Sequence, residues 1–359
     1  MTADSEILVT YTPNPTRIVL GAGAIGQLGN EADGLSVTRA LVVCSPGRRA
    51  AAERAVEVLG SAAAGICDPG GINIPEASFD LARAELERTG ADCVVSIGGG
   101  SPIGLGKALT AETGLVHISL PTTYSGSELM ADWRVEGAVR TRRGADPKAR
   151  PAVVIYDPEL TLDLPPGISG PSGMNAAAHA AESMYHPATN PVARRIGEEG
   201  LAALAQSLPV VVREPGNLAA RTLAFKGAWL AGGFRAGSCL EHRMAQTLRN
   251  LYGLTHAQSH AVVLPFVVAF NEPSAPEAMA CIARALGSET AAAGMFHLND
   301  ELSIPVNLAE IGVPESALDD AADAIADSKT PNPRPVTRDD VRALLDDAFF
   351  GRRGSQATT

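Results

Sequence analysis

Apolar residues in the first 160 positions form short runs, and amphipathic segments separate each run from the next. Apolar runs of this length are typical of buried strands. They lie within RIVLGAGAIGQLGNEA, RALVVCSP, ADCVVSIGGGSP, LVHISLPTT and PAVVIYDPEL. The segments between them predict helices, and in FDLARAELERTG we expect Leu81 and Leu86 to face inward. Strands that alternate with helices indicate a parallel, doubly wound sheet.

After about residue 161 the strand pattern gives way to a helical pattern, rich in Ala and Leu, with Gly and Pro breaks. The change falls near LDLPPGISG, at 162–170. We therefore predict two domains, an α/β domain over 1–162 and an all-helical domain over 163–359. The polar tail at 351–359 is expected to fray.

Composition and charge exclude several classes of protein. Hydrophobic residues make up 45% of the chain and charged residues 19%, as in ordinary globular proteins. The net charge of −11 argues against a surface that binds nucleic acid or an anionic membrane. A local basic pocket for an anionic ligand is still compatible with this charge.

Three features of the sequence bear on where the protein works. Its five cysteines are odd in number and form no CxxC pair, which favours the reducing cytoplasm. No apolar run approaches the roughly 20 residues that span a bilayer. The first residues show no basic segment followed by an apolar core, so we expect no secretion signal.

The sequence VVSIGGGSPIGLGKAL joins a predicted strand, a glycine turn and a predicted helix. In the turn, Gly98, Gly99 and Gly100 are followed by Ser101. Glycines let backbone N–H groups approach an anion, and the helix N-terminus adds a favourable dipole. The turn therefore favours a phosphate site, although tight strand–helix turns without a ligand are also common. It is not a GxGxxG motif, and Lys107 is not placed as a P-loop lysine.

A second predicted strand ends in LPTTYSGSEL, where Thr122, Thr123 and Ser125 carry hydroxyl groups. Ligands of open α/β sheets bind at the carboxyl ends of the strands. A turn rich in Ser and Thr is common by itself. Two such strand ends in one sheet nevertheless indicate a dinucleotide site.

A third predicted strand, RALVVC, ends at Ser45, which we include among the expected cofactor contacts. Rossmann-type domains often place an acidic residue after a strand, where it binds the ribose 2′-hydroxyl. Here Arg48 and Arg49 follow instead, and two guanidiniums could bind the 2′-phosphate of NADPH. Both arginines could equally be solvated residues at a helix start, so NADH and NADPH both stay open.

Histidines in the predicted helical domain recur at regular spacings. His179 follows Asn175 by four residues, so both side chains would lie on one face of a helix. His256 follows His242 by fourteen residues, and His260 lies four further on. Such a set could converge on a metal, but Asn175 supplies an amide where a carboxylate is the natural ligand. The alternatives are a metal site, a site that has lost its metal, and polar residues without a ligand.

The order and spacing of five motifs resemble those of the iron-containing alcohol dehydrogenase superfamily along nearly the whole chain. The motifs are GGGSPIGLGKA, PTTYSGSE, VVIYDPELTLDLPP, GMNAAAHAAE and GLTHAQSHAVVLP. Within the superfamily, PTTYSGSE, GMNAAAH and PNPRPVTRDDVRALL are similar to the maleylacetate reductase branch. The resemblance implies a Rossmann-like dinucleotide-binding domain and an all-helical C-terminal domain, as in the dehydroquinate synthase-like fold. It also implies NADH or NADPH as cofactor, a homodimer, and an active site in the cleft between the domains.

The resemblance also carries expectations about metal. Metal-dependent members place an Asp, a His four residues later and two further His at positions that match Asn175, His179, His242 and His256 here. Maleylacetate reductases are similar in lacking this Asp, and they are regarded as metal-independent. Three neutral imidazoles and an amide would leave the charge of a divalent cation uncompensated, although a site of three histidines can hold zinc. We therefore expect no bound metal.

The reaction that the resemblance implies is reduction of maleylacetate to 3-oxoadipate, or of a related unsaturated or oxo acid. Hydride addition to a C=C bond conjugated to a carbonyl places negative charge on the carbonyl oxygen, and a proton must then reach carbon. His179, His242 and His256 are the candidate catalytic residues, because imidazoles can stabilise that oxygen and supply the proton.

A substrate with two carboxylates also needs cations and polar groups to bind it. The candidate substrate-binding residues are Asn175, Arg243, Gln246 and Arg249. Three further arginines follow Trp133 and are Arg140, Arg142 and Arg143.

The match breaks in one segment, where the branch typically reads HHKxxHxxGG and this chain reads EHRMAQTLRN at 241–250. Glu241 and Gln246 stand in place of histidines, and Arg249 and Asn250 stand in place of two glycines. These changes surround the expected substrate rather than the cofactor phosphates, so the substrate could differ. The alternatives are a non-redox lyase, cyclase or dehydratase on the same scaffold, and a metal-dependent alcohol dehydrogenase.

Overall fold

The computed structural model describes residues 11–71, 73–327 and 330–353. Most of the N-terminal segment in which we expected no secretion signal lies outside these residues, as do the last six residues of the tail expected to fray. The described start of that tail is tied to the helical half, because Arg353 Nη2 lies 2.6 Å from Asp300 Oδ1.

A parallel sheet forms the core of the first half of the chain. Within the described ranges, the strands are β1 (Arg17–Leu20), β2 (Ala40–Cys44), β3 (Ala63–Cys67), β4 (Cys93–Gly98), β5 (Val116–Pro121), β6 (Asp132–Val135), β7 (Arg142–Ala145) and β8 (Val153–Tyr156). Six of them form one sheet in the order β1-β8-β5-β4-β2-β3, and all neighbouring pairs are parallel. The expected doubly wound sheet is confirmed.

Helices cover both faces of this sheet, which explains why β2 and β4 are buried along their whole length. The helices of this half are α1 (Leu28–Gly34), α2 (Arg49–Leu59), α3 (Glu76–Thr89) and α4 (Gly100–Thr113). Successive residues of β2 face opposite sides. Val42 belongs to the same apolar cluster as Leu28 and Ala55, whereas Leu41 belongs with Phe79 of α3.

The second half of the chain is helical, as expected. Its described helices are α5 (Pro166–Tyr185), α6 (Pro191–Arg213), α7 (Leu218–Gly233), α8 (Leu240–Tyr252), α9 (His256–Asn271), α10 (Pro276–Leu286), α11 (Ala291–Glu301), α12 (Leu318–Ala326) and α13 (Arg338–Phe350). The α5 helix lies at the centre, and every residue from Ser169 to Tyr185 is buried. Its small residues let neighbours approach closely, since a Cβ added to Gly173 would lie 2.4 Å from Leu208 of α6.

Three details differ from the sequence-based expectations. The strand β3 and the antiparallel hairpin β6–β7 were not expected. The expectation that Leu81 faces inward was wrong, because its side chain is 55% exposed, while Leu86 is buried as expected. The inward face of α3 contains Phe79, Ala82 and Leu86, a spacing of three and four residues that leaves Leu81 on the opposite side.

The chain connections place a crevice between two strands of the sheet. From β2 the chain passes through α2 to β3 on one side, whereas from β4 it passes through α4 to β5 on the other side. The connections therefore diverge between β2 and β4. The carboxyl ends of strands at such a point form the crevice in which open α/β sheets bind ligands.

The loop that follows β5 joins the two halves of the molecule. The Tyr124 N–H donates to Ser172 Oγ on α5 at 2.8 Å, and Tyr124 OH accepts from Arg221 Nη1 on α7 at 2.8 Å. Gly126 meets Gly232 near the end of α7, where a Cβ added to Gly232 would lie 2.1 Å from the Gly126 carbonyl oxygen. The loop is thus packed into the helical half.

The state of the cysteines and the apolar character of the helices relate to the expected location of the protein. All five cysteines are free, and four of them are buried, which agrees with the sequence-based expectation of unpaired thiols. In the part of the chain that the structure describes, no helix combines the length and the apolar character needed to cross a membrane.

Candidate active site between the sheet and the helical half

The turn between β4 and α4 is shaped so that an anion can reach its backbone. Gly98 has a φ of +145°, and a Cβ added there would lie 2.8 Å from Pro102 Cγ. A Cβ added to Gly99 would lie 3.1 Å from Thr123 Cγ2. No described side chain caps α4. Pro102 has no N–H and the Ile103 N–H donates to the Gly99 carbonyl at 3.3 Å, so a ligand could bond the N–H groups of Gly100 and Ser101.

The predicted cofactor contacts lie at the carboxyl ends of three neighbouring strands. Ser45 follows β2, and Gly98 ends β4. Thr122 follows β5, and its N–H donates to the Gly98 carbonyl at 2.9 Å. Ser45 and Ser101 line a small cavity at the crevice, and Ser125 lies farther along the loop after β5. This arrangement fits a dinucleotide whose phosphates meet the N-terminus of α4.

The two arginines considered for a 2′-phosphate already face carboxylates. Arg48 pairs with Asp163. Arg49 Nε lies 3.1 Å from Glu53 Oε1, and its Nη1 lies 3.7 Å from Asp68 Oδ2. These carboxylates neutralise both guanidiniums and would repel a 2′-phosphate.

Four histidines from three helices meet in the helical half. His179 comes from α5, His242 from α8, and His256 and His260 from α9. His179 Nδ1 and His242 Nε2 are hydrogen-bonded at 2.7 Å. The His260 ring centroid lies 4.6 Å from that of His242 and 4.4 Å from that of His256. The expected convergence of His179, His242 and His256 is thus present, with His260 at its centre.

Two buried carboxylates hold this cluster. His242 Nδ1 lies 2.8 Å from Glu182 Oε2 and 2.9 Å from Glu241 Oε2. The other oxygen of Glu241 lies 2.8 Å from His260 Nδ1. Glu182 also accepts the backbone N–H of Cys239 at 2.7 Å, which fixes the start of α8 against α5.

Charge is distributed unequally among these histidines. Burial alone would lower the pKa of His242, but Glu182 and Glu241 outweigh it and raise that pKa to about 9. Burial holds the pKa values of His179, His256 and His260 well below the ordinary value for histidine. The cluster therefore contains one imidazolium among neutral rings at neutral pH.

The donors that match metal-ligand positions do not fit one cation in this arrangement. His179 Nδ1 and His242 Nε2 are 2.7 Å apart, whereas two nitrogens on one tetrahedral zinc lie about 3.3 Å apart. Among the described residues, Asn175 Oδ1 and His179 Nε2 are buried without a hydrogen-bond partner. Both are neutral donors, so neither offsets a double positive charge.

A different group of atoms comes closer to a metal site. Glu241, His242 and His260 are buried, and one ligand atom from each lies within 4.8 Å of the others. Glu241 would supply the anion that Asn175 lacks. The same atoms are in contact with one another, so a proton on His242 and a divalent cation are alternative occupants of this space.

A cavity of about 580 Å³ opens between the two halves. Its lining includes Gly100 and Lys107 of α4, Trp133 of the β6–β7 hairpin, and Gln246 and Arg249 of α8. The cavity therefore reaches from the start of α4, where we predict the phosphates, to the 241–250 segment of α8.

The remaining predicted substrate contacts lie in different surroundings. Asn175 is buried near the histidines, with 1% of its surface exposed. Arg243 turns away from the cavity, and its Nη2 donates to the Ala324 carbonyl at 2.7 Å. Arg143 lines the cavity, whereas Arg142 pairs with Glu112.

Sequence reasoning missed the carboxylates that organise the cluster. Glu182 lies three residues after His179, a spacing that places both on one face of α5 and could have drawn attention to it. The sequence placed Glu241 only among the changes that surround the expected substrate. Its partners, His242 and His260, lie on two helices and could be found only from the fold.

Two family models match most of the chain. Residues 15–158 match the model described as iron-containing alcohol dehydrogenase. Residues 170–349 match the model of the C-terminal region of the Fe-containing alcohol dehydrogenase family.

Individual relatives point to one branch of the family. Maleylacetate reductase of Burkholderia cepacia is 43% identical over 341 residues, which cover 94% of this chain and 97% of the relative. Maleylacetate reductase 2 of Cupriavidus pinatubonensis is 42% identical and covers 94% of this chain and 95% of its own length. The crystal structure of maleylacetate reductase from Agrobacterium tumefaciens has a TM-score of 0.93 and 39% identity, covering 96% of this chain and 99% of that one. The chain therefore belongs to the iron-containing alcohol dehydrogenase family, within its maleylacetate reductase branch, and is an NAD(P)-dependent oxidoreductase.

Proposed function

We propose that the protein reduces maleylacetate to 3-oxoadipate, or reduces a closely related unsaturated or oxo acid, without a metal ion. The observation that carries this proposal is the position of the His242 ring, which lies 2.8 and 2.9 Å from two buried carboxylates and 2.7 Å from His179. A fixed cation next to a second imidazole can stabilise negative charge and deliver a proton. The names of the similar proteins support the same substrate.

The cofactor would lie at the carboxyl ends of β2, β4 and β5. The first-turn N–H groups of α4 would hold its phosphates, and the hydroxyls of Ser45, Ser101 and Thr122 would bond its remaining polar groups. A bound NADH or NADPH supplies the hydride. Gly98 and Gly99 let Pro102 and Thr123 pack closely against the turn, while the space beside Gly100 is open.

His242 and His179 can move one proton through two linked transfers. The charged His242 donates its Nε2–H to Nδ1 of neutral His179, so His179 carries its own hydrogen on Nε2. That Nε2 has no hydrogen-bond partner among the described residues, and it can donate to a substrate oxygen or carbon. As the Nε2 proton leaves, the proton of His242 moves to His179 Nδ1, and both rings end neutral.

The remaining candidate residues would orient the substrate. Asn175 presents an unpartnered amide oxygen beside His179, on the preceding turn of α5. Gln246 and Arg249 line the cavity from α8. Arg243 would act indirectly, because its bond to Ala324 fixes α8 against α12. His256 is neutral and would add a polar wall at the start of α9.

The direct test is oxidation of NADH and of NADPH in the presence of maleylacetate, before and after dialysis against a chelator. We expect turnover that the chelator does not change, with 3-oxoadipate as the product in mass spectrometry. Absence of turnover together with absence of binding of either cofactor would contradict the proposal. A product formed without oxidation of the cofactor would indicate a lyase, cyclase or dehydratase instead.

A metal-dependent alcohol dehydrogenase is the second candidate, and one observation favours it. The ligand atoms of Glu241, His242 and His260 lie within 4.8 Å of one another. Metal content of the protein purified without a chelator separates the two candidates. Stoichiometric zinc or iron, with loss of activity on chelation, would favour the second.

We also infer that the protein is a cytoplasmic homodimer. We place the boundary between the two domains of each chain between residues 162 and 163. The family resemblance supports the dimer, and the five free thiols support a reducing compartment. The boundary is supported by the last strand, which ends at Tyr156, and by α5, which begins at Pro166. Light scattering on the purified protein measures the mass of the assembly.

A further inference from the structure

Two arginines from different halves of the molecule converge on one carboxylate at the edge of the cavity. Arg134 of β6 has its Nη2 atom 3.2 Å from Glu136 Oε1. Arg249, in the last turn of α8, has its Nη2 atom 3.8 Å from the same oxygen. A single carboxylate thus faces two guanidiniums, which leaves a local excess of positive charge.

The other charged residues that line the cavity increase this excess of positive charge. Arg134, Arg249, Arg143 and Lys107 all line the cavity, and Asp132 is the one acidic residue among the described lining residues. Burial and then the charge of Arg134 lower the pKa of Arg249, and the charge of Glu136 only partly opposes them. In a chain of net charge −11, a cationic cavity of this kind marks a place for an anion.

The backbone around Glu136 is fixed by hydrogen bonds that do not involve its side chain. The Glu136 N–H donates to the Ile74 carbonyl at 2.9 Å, and the Glu136 carbonyl accepts from the Glu76 N–H at 2.9 Å. The side chain itself is 32% exposed. Its carboxylate can therefore move into solvent without disturbing the hairpin.

The position of Arg249 on α8 aligns it with the proton-delivering histidines. His242, Gln246 and Arg249 are spaced by four and three residues, so they lie on one face of the helix. Seven residues of α-helix correspond to about 10 Å along the axis. A ligand that extends along this face would have one end near the imidazoles and the other near the two arginines.

We propose that Arg134 and Arg249 form a subsite for the substrate carboxylate remote from the reacting carbon, and that Glu136 occupies this subsite until the substrate displaces it. The proposal rests on the proposed reductase function for the identity of the substrate. It explains Arg249, which stands where the resembling branch typically has a glycine, as a residue that recognises a carboxylate. It also makes Glu136 a competitor of the substrate, with its own measurable effect.

Tryptophan fluorescence can test the subsite without turnover. The chain has two tryptophans, and Trp133 lines the cavity while Trp229 lies in α7. In the Trp229→Phe protein without cofactor, we expect maleate, a dicarboxylate, to change the Trp133 emission in a saturable way. Isocrotonate, the cis monocarboxylate of similar shape, should bind at least about 10-fold more weakly, since it lacks one charge-assisted contact.

Substitution of Arg249 and substitution of Glu136 should change maleate binding in opposite directions. Arg249→Gln should weaken maleate binding about 10- to 100-fold and raise the KM for maleylacetate similarly, with little change in kcat. Glu136→Gln should strengthen maleate binding, because the internal competitor is lost. The surface pair Arg88 and Glu85 supplies matched controls, Arg88→Gln and Glu85→Gln, which should change neither quantity.

The outcomes separate this proposal from the proposed function. If maleate binds in this way but maleylacetate is not reduced, the subsite stands and the assigned reaction fails. If Glu136→Gln weakens maleate binding, or Arg249→Gln leaves it unchanged, the subsite proposal is wrong. If Arg249→Gln raises the KM for NADH but not that for maleylacetate, the arginines bind the cofactor, and the proposal is again wrong.

Discussion

Glu241 determines the charge of the residue beside it. Its carboxylate and that of Glu182 lie within 2.9 Å of His242 Nδ1 and raise the pKa of that ring to about 9. His242 is therefore charged below about pH 9 and loses its proton above it. If proton delivery begins at this ring, kcat should fall as the pH rises through about 9.

Glu241→Gln should move this fall in kcat to lower pH, because one of the two carboxylates that stabilise the imidazolium is removed. The pH dependence of kcat at saturating substrate measures the shift. The half-buried carboxylate of Glu85, which lies on α3 in the other half of the molecule, offers a control, since Glu85→Gln should leave the pH dependence unchanged. A fall in kcat that stays near pH 9 in Glu241→Gln would show that His242 does not govern it.

Asn175 is the position at which an anion is missing. Its amide oxygen is buried without a partner among the described residues, as is the Nε2 of His179 one turn later on α5. Asn175→Asp should therefore increase affinity for zinc or iron, because the added charge offsets that of the cation. Calorimetric titration with each metal measures the change, and Asn30→Asp at an exposed position is the control. Unchanged metal affinity would show that these residues are not a vacated metal site.

At this scale the sequence could predict which histidines meet but not how they are charged. The four-residue spacing of Asn175 and His179 held on α5, as helical periodicity requires. The protonation of His242 depends on Glu182, 60 residues earlier in the chain. Contacts of that separation become visible only in the fold.

Among the elements, the N-terminus of α4 offers a sharp test of the cofactor site. Space around Gly100 is open, with no atom within 4 Å of an added Cβ. Gly100→Asp should leave the fold intact, because a negative charge at a helix N-terminus is favourable. The same charge should weaken NADH binding by about 10-fold or more, through repulsion of the phosphates. Titration of NADH fluorescence measures the affinity, and Gly100→Asn is the uncharged control. Equal affinity in both variants would place the phosphates elsewhere.

The contact between the loop after β5 and α7 should be sensitive to a single methyl group. A Cβ at position 232 would lie 2.1 Å from the Gly126 carbonyl oxygen, so Gly232→Ala must displace either the loop or the helix. Overpacking of this kind costs about 1–3 kcal/mol. Urea unfolding measures the loss, and Gly216→Ala, where the space is open, is the control. A loss of unfolding free energy no larger than that of Gly216→Ala would mean that the loop can shift at little energetic cost.

The elements that the sequence predicted are those with strong apolar runs. β2 and β4 are covered on both faces, so their residues are apolar throughout and easily recognised. β3 reads AAGIC and contains one β-branched residue, which explains why its pattern is weak. The hairpin β6–β7 is mostly half-buried or exposed and rich in arginine, so it shows no apolar run.

For the whole molecule, the joining loop predicts cooperative unfolding. Tyr124 bonds to α5 and α7, while the same loop carries the predicted cofactor hydroxyls of Thr122 and Thr123. We expect one calorimetric transition for the entire chain, shifted upward by NADH. At 100 times the dissociation constant, the added free energy is about 2.7 kcal/mol. Two transitions, of which NADH moves only the first, would show that the halves unfold independently.

The overall architecture followed from the sequence because alternation of strands and helices leaves few arrangements. The cleft did not follow in the same way. Its walls combine α4, the unpredicted hairpin and the C-terminal turn of α8, so its charge could not be summed before the fold was known. Net charge is a property of the chain, whereas the sign of a cavity depends on which side chains the fold brings together.

The attachment of Tyr124 has a consequence for exchanging parts between relatives. Chimeras cut at the predicted boundary near residue 162 would take the loop after β5 from one parent, and its partners Ser172 and Arg221 from the other. A recombinant that carries residues 122–128 together with α5 and α7 keeps these bonds intact. The part that must be exchanged as one unit is therefore the helical half together with the loop after β5, rather than either predicted domain alone.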